Sequence, residues 1–156
     1  MGLSDKQGKT RIKIKRATIK DLKEVTDLFV EFGEFNLKYG GEGLGKDFIE
    51  DLKDEAKELL ENKKQYIYLL IEKNIVCGFL HFFICKLGDY IMLEDMFIYD
   101  SYRNNGYGKL LLAIIDTFSK KYDMPVKVEV FNWNKNAINF YFKNNFKEDS
   151  TVLIKE

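Results

Sequence analysis

Apolar residues recur with two different periods along this chain, and the switches between them mark out its elements. Residues 11–15 alternate, with Ile12 and Ile14 on one face, which predicts a β-strand. Thr18-x-x-Asp21 reads as a capping box, and Leu22, Val25, Phe29 and Phe32 follow at helical spacing, so a first helix buries one stripe. The stripe fades into residues 33–45, a glycine-rich stretch that predicts a loop, with Glu31, Glu34 and Glu42 in or beside it. Phe48, Leu52, Ala56 and Leu59 then predict a second helix whose outer Lys and Glu residues form a solvated face. From Tyr66 the pattern becomes β-branched and aromatic. Residues 66–71 and 75–87 predict a hairpin, and Gly88-Asp89 turns the chain into a further strand over 90–99. Tyr107, Leu111, Ile114, Phe118 and Tyr122 predict a third helix, Pro125 opens a strand over 126–131, a short helix covers 135–144, and a last strand covers 146–154. Residues 1–10 carry few apolar positions and read as a frayed tail before one domain over 11–156.

The element order predicts an α/β (α+β) domain, a mixed and mostly antiparallel sheet flanked by helices. At 156 residues and 46% hydrophobic content the chain is large enough for a real core. Its 25 basic and 25 acidic residues cancel, which argues against an electrostatic nucleic-acid binder and for small substrates. No apolar run reaches the ~18 residues of a membrane span, and the N-terminus is too polar for a signal peptide, so a cytoplasmic protein is expected. Met1-Gly2 is not followed by the Ser or Thr that myristoylation needs, because Lys6 stands there. Cys77 and Cys85 lie in one apolar run and read as reduced thiols. His81 shares their strand parity, but strand neighbours four apart stand about 13 Å apart and cannot share an ion, so no metal is expected.

The chemistry concentrates at residues 103–109, Arg-Asn-Asn-Gly-Tyr-Gly-Lys, where a strand passes through a glycine turn into a helix. Backbone N–H groups converge at such a turn, the helix end adds about half a positive charge, and Arg103 and Lys109 add two full ones. A pyrophosphate fits there. A dinucleotide fingerprint would need glycine where Leu111 stands, and a P-loop would need Ser or Thr in place of Leu110. What remains is R-x-x-G-x-G at the mouth of a helix, a string that a plain turn before a surface helix also satisfies.

That string, with Leu93-Glu94-Asp95-Met96-Phe97-Ile98 before it and Asn134-Lys135-Asn136-Ala137-Ile138-Asn139-Phe140-Tyr141 after it, resembles the Gcn5-related N-acetyltransferase (GNAT) superfamily from residue 11 onward, and most closely its diamine (spermidine/spermine) acetyltransferases. Asn145 stands where the family carries a glycine before Phe146, a mild departure because Asn is the best non-glycine residue for a left-handed helix cap. The resemblance implies acetyl-coenzyme A as cosubstrate, a small primary amine such as a polyamine as acceptor, and a homodimer. It implies Glu94 as general base and Tyr141 as general acid. It places the pantetheine arm along the backbone of Met96, Phe97 and Ile98 with Asn134 and Asn136 beside it, and the pyrophosphate on Arg103, Asn104, Asn105, Gly106, Tyr107, Gly108 and Lys109. Glu31, Glu34, Phe35, Asn36 and Glu94 are the residues expected to meet the acceptor.

The roles are needed whatever the name. An alkylamine with pKa near 10.4 is at most about one part in a thousand neutral at pH 7, so a base must help, while the thioester oxygen wants an N–H and the departing thiolate a proton. Glu94 and Asp95 point to opposite faces of a regular strand, which would leave one of them solvated. Tyr141 also fits a core aromatic, Asn134 a helix cap, and Trp133 a residue packed under the loop or against the sheet. Two other functions stay open: acetylation of a protein α-amine or lysine, and a coenzyme A-binding module without catalysis.

Overall fold

The computed structural model describes residues 2–4, 11–39 and 48–156. Its strands are β1 (Gly2–Ser4), β2 (Arg11–Arg16), β3 (Gln65–Glu72), β4 (Ile75–Cys85), β5 (Tyr90–Ile98) and β6 (Val126–Val128). The helices are α1 (Leu22–Lys38), α2 (Phe48–Glu61), α3 (Tyr107–Tyr122) and α4 (Lys135–Lys143). The strands form one sheet in the order β1-β2-β3-β4-β5-β6, antiparallel except for the β5/β6 pair. A parallel neighbour cannot be reached by a tight turn, and α3 is the crossover that makes it reachable.

Local sequence accounts for most of this. The β3–β4 hairpin closes through Lys73 (φ 48°) and Asn74 (φ 66°), two left-handed residues of the kind a two-residue turn requires to match strand twist. At the start of α1, Thr18 N–H donates to the Asp21 carboxylate at 2.9 Å, and Lys15 Nζ donates to it at 2.9 Å. Partial burial opposes the charge on Asp21, but these two partners hold its carboxyl below the usual range.

The sheet carries a core on each face. On one side α3 and α4 cover Leu70, Leu80, Phe82, Ile91 and Leu93, with Phe82 stacked between Tyr66 and Tyr68 and Phe118 edge-on at 5.0 Å. On the other, α1 and α2 cover Ile67, Leu69, Phe79 and Phe97.

Four expectations are corrected. The tail contains a strand: Gly2–Ser4 pairs with Arg11–Lys13, and residues 1 and 5–10 lie outside the described residues. The glycine-rich loop begins later than its first glycine, because α1 runs through a buried Gly33 to Lys38; residues 40–47, with Glu42, are outside the described residues. The fifth strand stops at Val128 rather than at 131. The final strand over 146–154 is irregular, with Val152, Leu153 and Ile154 exposed at 73%, 88% and 78%, since none of its backbone joins the sheet.

Candidate active site

A bulge in β5 organises the site. His81 of β4 pairs with Asp95 and Phe82 pairs with Leu93, so Glu94 is an extra residue with no partner opposite it. The bulge resets the alternation of β5. Ile91 and Leu93 face the α3/α4 core, yet so do Met96 and Ile98, while Phe97 enters the α1/α2 core. Glu94, in phase with the residues before the bulge, and Asp95, in phase with Phe97 after it, therefore emerge on the same face. The expectation that they diverge fails because a regular strand was assumed.

The same bulge frees an edge. β6 pairs with β5 only at Ile91, Met92 and Leu93, and beyond that point no described strand lies along that side of β5. Met96, Phe97 and Ile98 remain paired to β4 alone, which leaves an open slot for an extended arm to add as a strand.

At the far end of the slot sits the N-terminus of α3. Its cap, Gly106, has φ 75° and no side-chain cap bond, so the N–H groups of the first turn point out of the helix end unclaimed by any cap. A Cβ built on Gly106 meets nothing within 4 Å, so the residue is required by its conformation, and the space in front of it is open. Gly108 has a different role. A Cβ there would sit 2.8 Å from Phe140 Cζ, so this glycine lets α4 close on α3. Asn105 steadies the turn through its amide, which donates to the carbonyls of Tyr102 at 3.0 Å and Arg103 at 3.2 Å, and Asn104 (φ 64°) and Lys109 are exposed beside it.

Two loop residues are committed elsewhere. Arg103 Nε donates to Ile98 O at 2.8 Å, and its guanidinium lies 4.9 Å from the Phe35 ring and 5.1 Å from the Phe97 ring, so it ties the strand end to α1. The buried Tyr107 phenol donates to the Glu72 carboxylate, which leaves only its backbone for an anion.

α4 delivers Tyr141. The Asn134 side chain caps this helix by accepting from Ala137 N–H at 3.2 Å, and Asn136 is exposed in its first turn. Asn145 closes the other end at φ 71°, the left-handed conformation expected of it, and Phe146 packs on Tyr141 at 5.1 Å. Tyr141 is buried, and burial followed by the charge of Asp95 holds its phenol well above the usual range, so it remains protonated at neutral pH. Trp133 lies 6.1 Å from Phe35 and 6.0 Å from Phe131.

Around Glu94 the charges are negative. Partial burial, then Asp95 and Glu129, push its carboxyl up, with His81 pulling the other way. Glu55 of α2 is pushed up by burial and by Asp95 in the same manner. Glu55 is nevertheless exposed, on the solvated face expected for the outer Lys and Glu residues of α2. Glu31 and Glu34 are exposed on the last turns of α1, and the phenol that Glu31 influences is Tyr99, so neither acts on Glu94. Phe35 and Asn36 are half-buried on the same helix.

The description of the Acetyltransferase (GNAT) family matches residues 34–146, a span that includes the bulge, the slot, the uncapped helix and Tyr141. The chain belongs to the GNAT family. Members of this family use acetyl-coenzyme A. L-ornithine N5-acetyltransferase NATA1 of Arabidopsis thaliana is 42% identical over 74 residues, a match that covers 43% of this chain and 32% of that protein. The aligned part thus spans about a third of that relative. The GNAT sheet and helices recur in the tetramutant of the BH1408 protein from Bacillus halodurans (16% identity, TM-score 0.77, 92% of this chain and 99% of that chain). They recur also in the aminoglycoside N-acetyltransferase AAC(6')-Iy in complex with CoA (14% identity, TM-score 0.75, 94% of this chain and 95% of that chain). At these identities the likeness is one of fold. No helix among the described residues is long and apolar enough to cross a membrane.

Proposed function

We propose that this GNAT chain transfers the acetyl group of acetyl-coenzyme A to a primary amine of a small molecule that carries a second positive charge, of the diamine, polyamine or basic amino-acid kind. The observation that carries the reading is the bulge at Glu94, which puts two carboxylates on one face beside a free strand edge. Ornithine, named for the Arabidopsis relative, has this amine chemistry. The slot and the uncapped α3 fit a pantetheine arm and a pyrophosphate, with Met96 to Ile98 along the arm and the turn at 104–109 on the phosphates.

In this reading the coenzyme supplies a thioester carbon and a thiolate leaving group. Glu94 takes a proton from the ammonium, and the neutral nitrogen attacks as the C–N bond forms and the C–S bond breaks. A backbone N–H of the 96–98 edge steadies the carbonyl oxygen. The Tyr141 hydroxyl, kept protonated by burial, gives its proton to the thiolate, and the proton shed by the acylated nitrogen returns Tyr141 to its neutral form. Asp95 and Glu55 attract the second charge of the acceptor.

The test is thiol release with ornithine, linear diamines, spermidine, aminoglycosides, monoamines and peptide N-termini. A dicationic acceptor is expected to exceed a monoamine of equal length by about tenfold or more in kcat/KM at low salt, and to lose that advantage as ionic strength rises. A preference for a peptide N-terminus moves the chain to the protein-acetylating class, and coenzyme binding without thiol release from any amine leaves a non-catalytic module. Glu94→Gln should cut the rate most at the lower end of the pH profile and recover partly as pH rises, because the neutral fraction of the amine grows about tenfold per unit.

A further inference from the structure

His81 is the single histidine of the chain, 5% exposed in the middle of β4. Its Nε2 lies 2.7 Å from Gln65 Oε1. Its Nδ1 is buried with no hydrogen-bond partner among the described residues and lies 3.8 Å from Asp95 Oδ2. If Nε2 donates to Gln65, a neutral ring points a bare lone pair at a carboxylate oxygen. Two acceptors then face each other without a proton, and Nδ1 is cut off from water although the Asp95 side chain is 37% exposed, a costly arrangement for the ring. A second proton on Nδ1 removes the conflict after a closure of about 1 Å, with both ring nitrogens donating, one to the amide and one to the carboxylate.

The surroundings call for that charge. Asp95 shares its face with Glu94, the exposed Glu55 of α2 feels the charges of Asp95 and Glu58, Glu129 after β6 acts on Glu94, and the Tyr141 phenol of α4 feels Asp95. Among the described residues, no lysine or arginine is one of the groups acting on Glu55 or Glu94. The imidazole is, among the described residues, the one group acting on these carboxylates that is able to become positive.

We propose that His81 carries both ring protons in the working protein and acts through Asp95 as a positioning residue, offsetting the negative charge around Glu94 so that Glu94 stays an ionised base. The part concerning Glu94 rests on the acetyl-transfer reading, whereas the His81–Asp95 pairing stands apart from it.

The experiment has two arms. In the first, the tag-free full chain is labelled with nitrogen-15 and its ring nitrogens are followed by proton–nitrogen correlation between pH 5 and 9, with no assignment needed for a lone histidine. Both nitrogens should be protonated at neutral pH, and Asp95→Asn should lower the midpoint for loss of the second proton by about one unit or more. A ring with one proton at neutral pH overturns the proposal, whether Nδ1 is bare or the Gln65 amide has turned to let Nδ1 hold it. A second proton indifferent to Asp95→Asn overturns it too.

In the second arm, His81→Gln should move the acidic limb of the kcat/KM profile for the amine upward by about half to one unit while KM for acetyl-coenzyme A holds, because Glu94 loses a neighbouring cation and binds its proton more tightly. An unmoved limb in a folded variant overturns the positioning role. If His81→Gln fails to fold, the wild-type and Asp95→Asn spectra still decide the pairing on which that role depends. If no amine is acetylated, acetyl transfer and the role at Glu94 fall together, and the spectra decide the pairing on their own.

Discussion

Two helices of this protein begin within sight of each other and treat their N-termini in opposite ways. α3 starts at Gly106, which has no side chain to offer, and its first-turn donors remain available. α4 starts at Asn134, whose side-chain Oδ1 accepts the Ala137 N–H. Every helix presents the same partial positive charge at this end, so the cap residue decides whether a ligand or the protein itself answers it. Here the open end faces the slot beside β5. The closed end anchors the helix that carries Tyr141, and the two are locked by Phe140 against Gly108.

The sharpest way to break the contrast is to spoil the open end. Gly106→Val forces a β-branched residue to φ 75°, at a cost of about 2 kcal/mol in stability, and should weaken acetyl-coenzyme A binding by tenfold or more in calorimetry. Gly106→Asn tolerates that conformation and should keep most of the thermal stability while still losing coenzyme affinity, because its side chain competes for the same donors. An Asn variant that binds as tightly as wild type would show that the turn does not hold the pyrophosphate.

The lock between the helices comes next. Gly108→Ala drives a methyl into Phe140 and should cost about 1–3 kcal/mol by denaturant unfolding, with much of the loss recovered when Phe140→Leu is added. Additive losses in the double variant would mean that the two positions do not press on each other. At the closed end, Asn134→Ala should cost about 1 kcal/mol and Asn134→Asp very little, since Asp caps equally well. If both variants bind coenzyme as wild type does, Asn134 is a cap alone. The smallest effect is expected at Lys109, where Lys109→Gln should raise the Kd for coenzyme A only a few-fold, and only at low salt, because the side chain is exposed.

The same contrast separates what the sequence made legible from what it hid. Glycine at 106, the apolar stripes of the helices and the left-handed Asn145 are local matters, settled by a few neighbouring residues, and each was readable before the fold. The bulge at Glu94 was not, because Leu-Glu-Asp-Met-Phe reads equally well as an unbroken strand and only pairing with β4 reveals the extra residue. Errors followed from it: Glu94 and Asp95 were put on opposite faces, and β6 was extended past the point where β5 leaves it. Arg103 was only half legible, for another reason. Its charge suits a phosphate, but its aromatic neighbours Phe35 and Phe97 come from distant parts of the chain. Phe35 in turn was read as part of a loop, because Gly33 suggests a helix end, yet buried packing carries α1 straight through it.

The bulge also makes residue count along β5 a variable in its own right. A substitution at position 94 alters one side chain, whereas deleting that position would let β5 run as a regular ladder against β4 with every later residue on the face it already occupies. Phe97 would keep its core and Met96 and Ile98 theirs, and the loss would be one of the two carboxylates that share a face. The extra residue is therefore not demanded by packing: one residue fewer gives a more regular strand with both cores still matched, and the irregular length serves the paired carboxylates and not the fold.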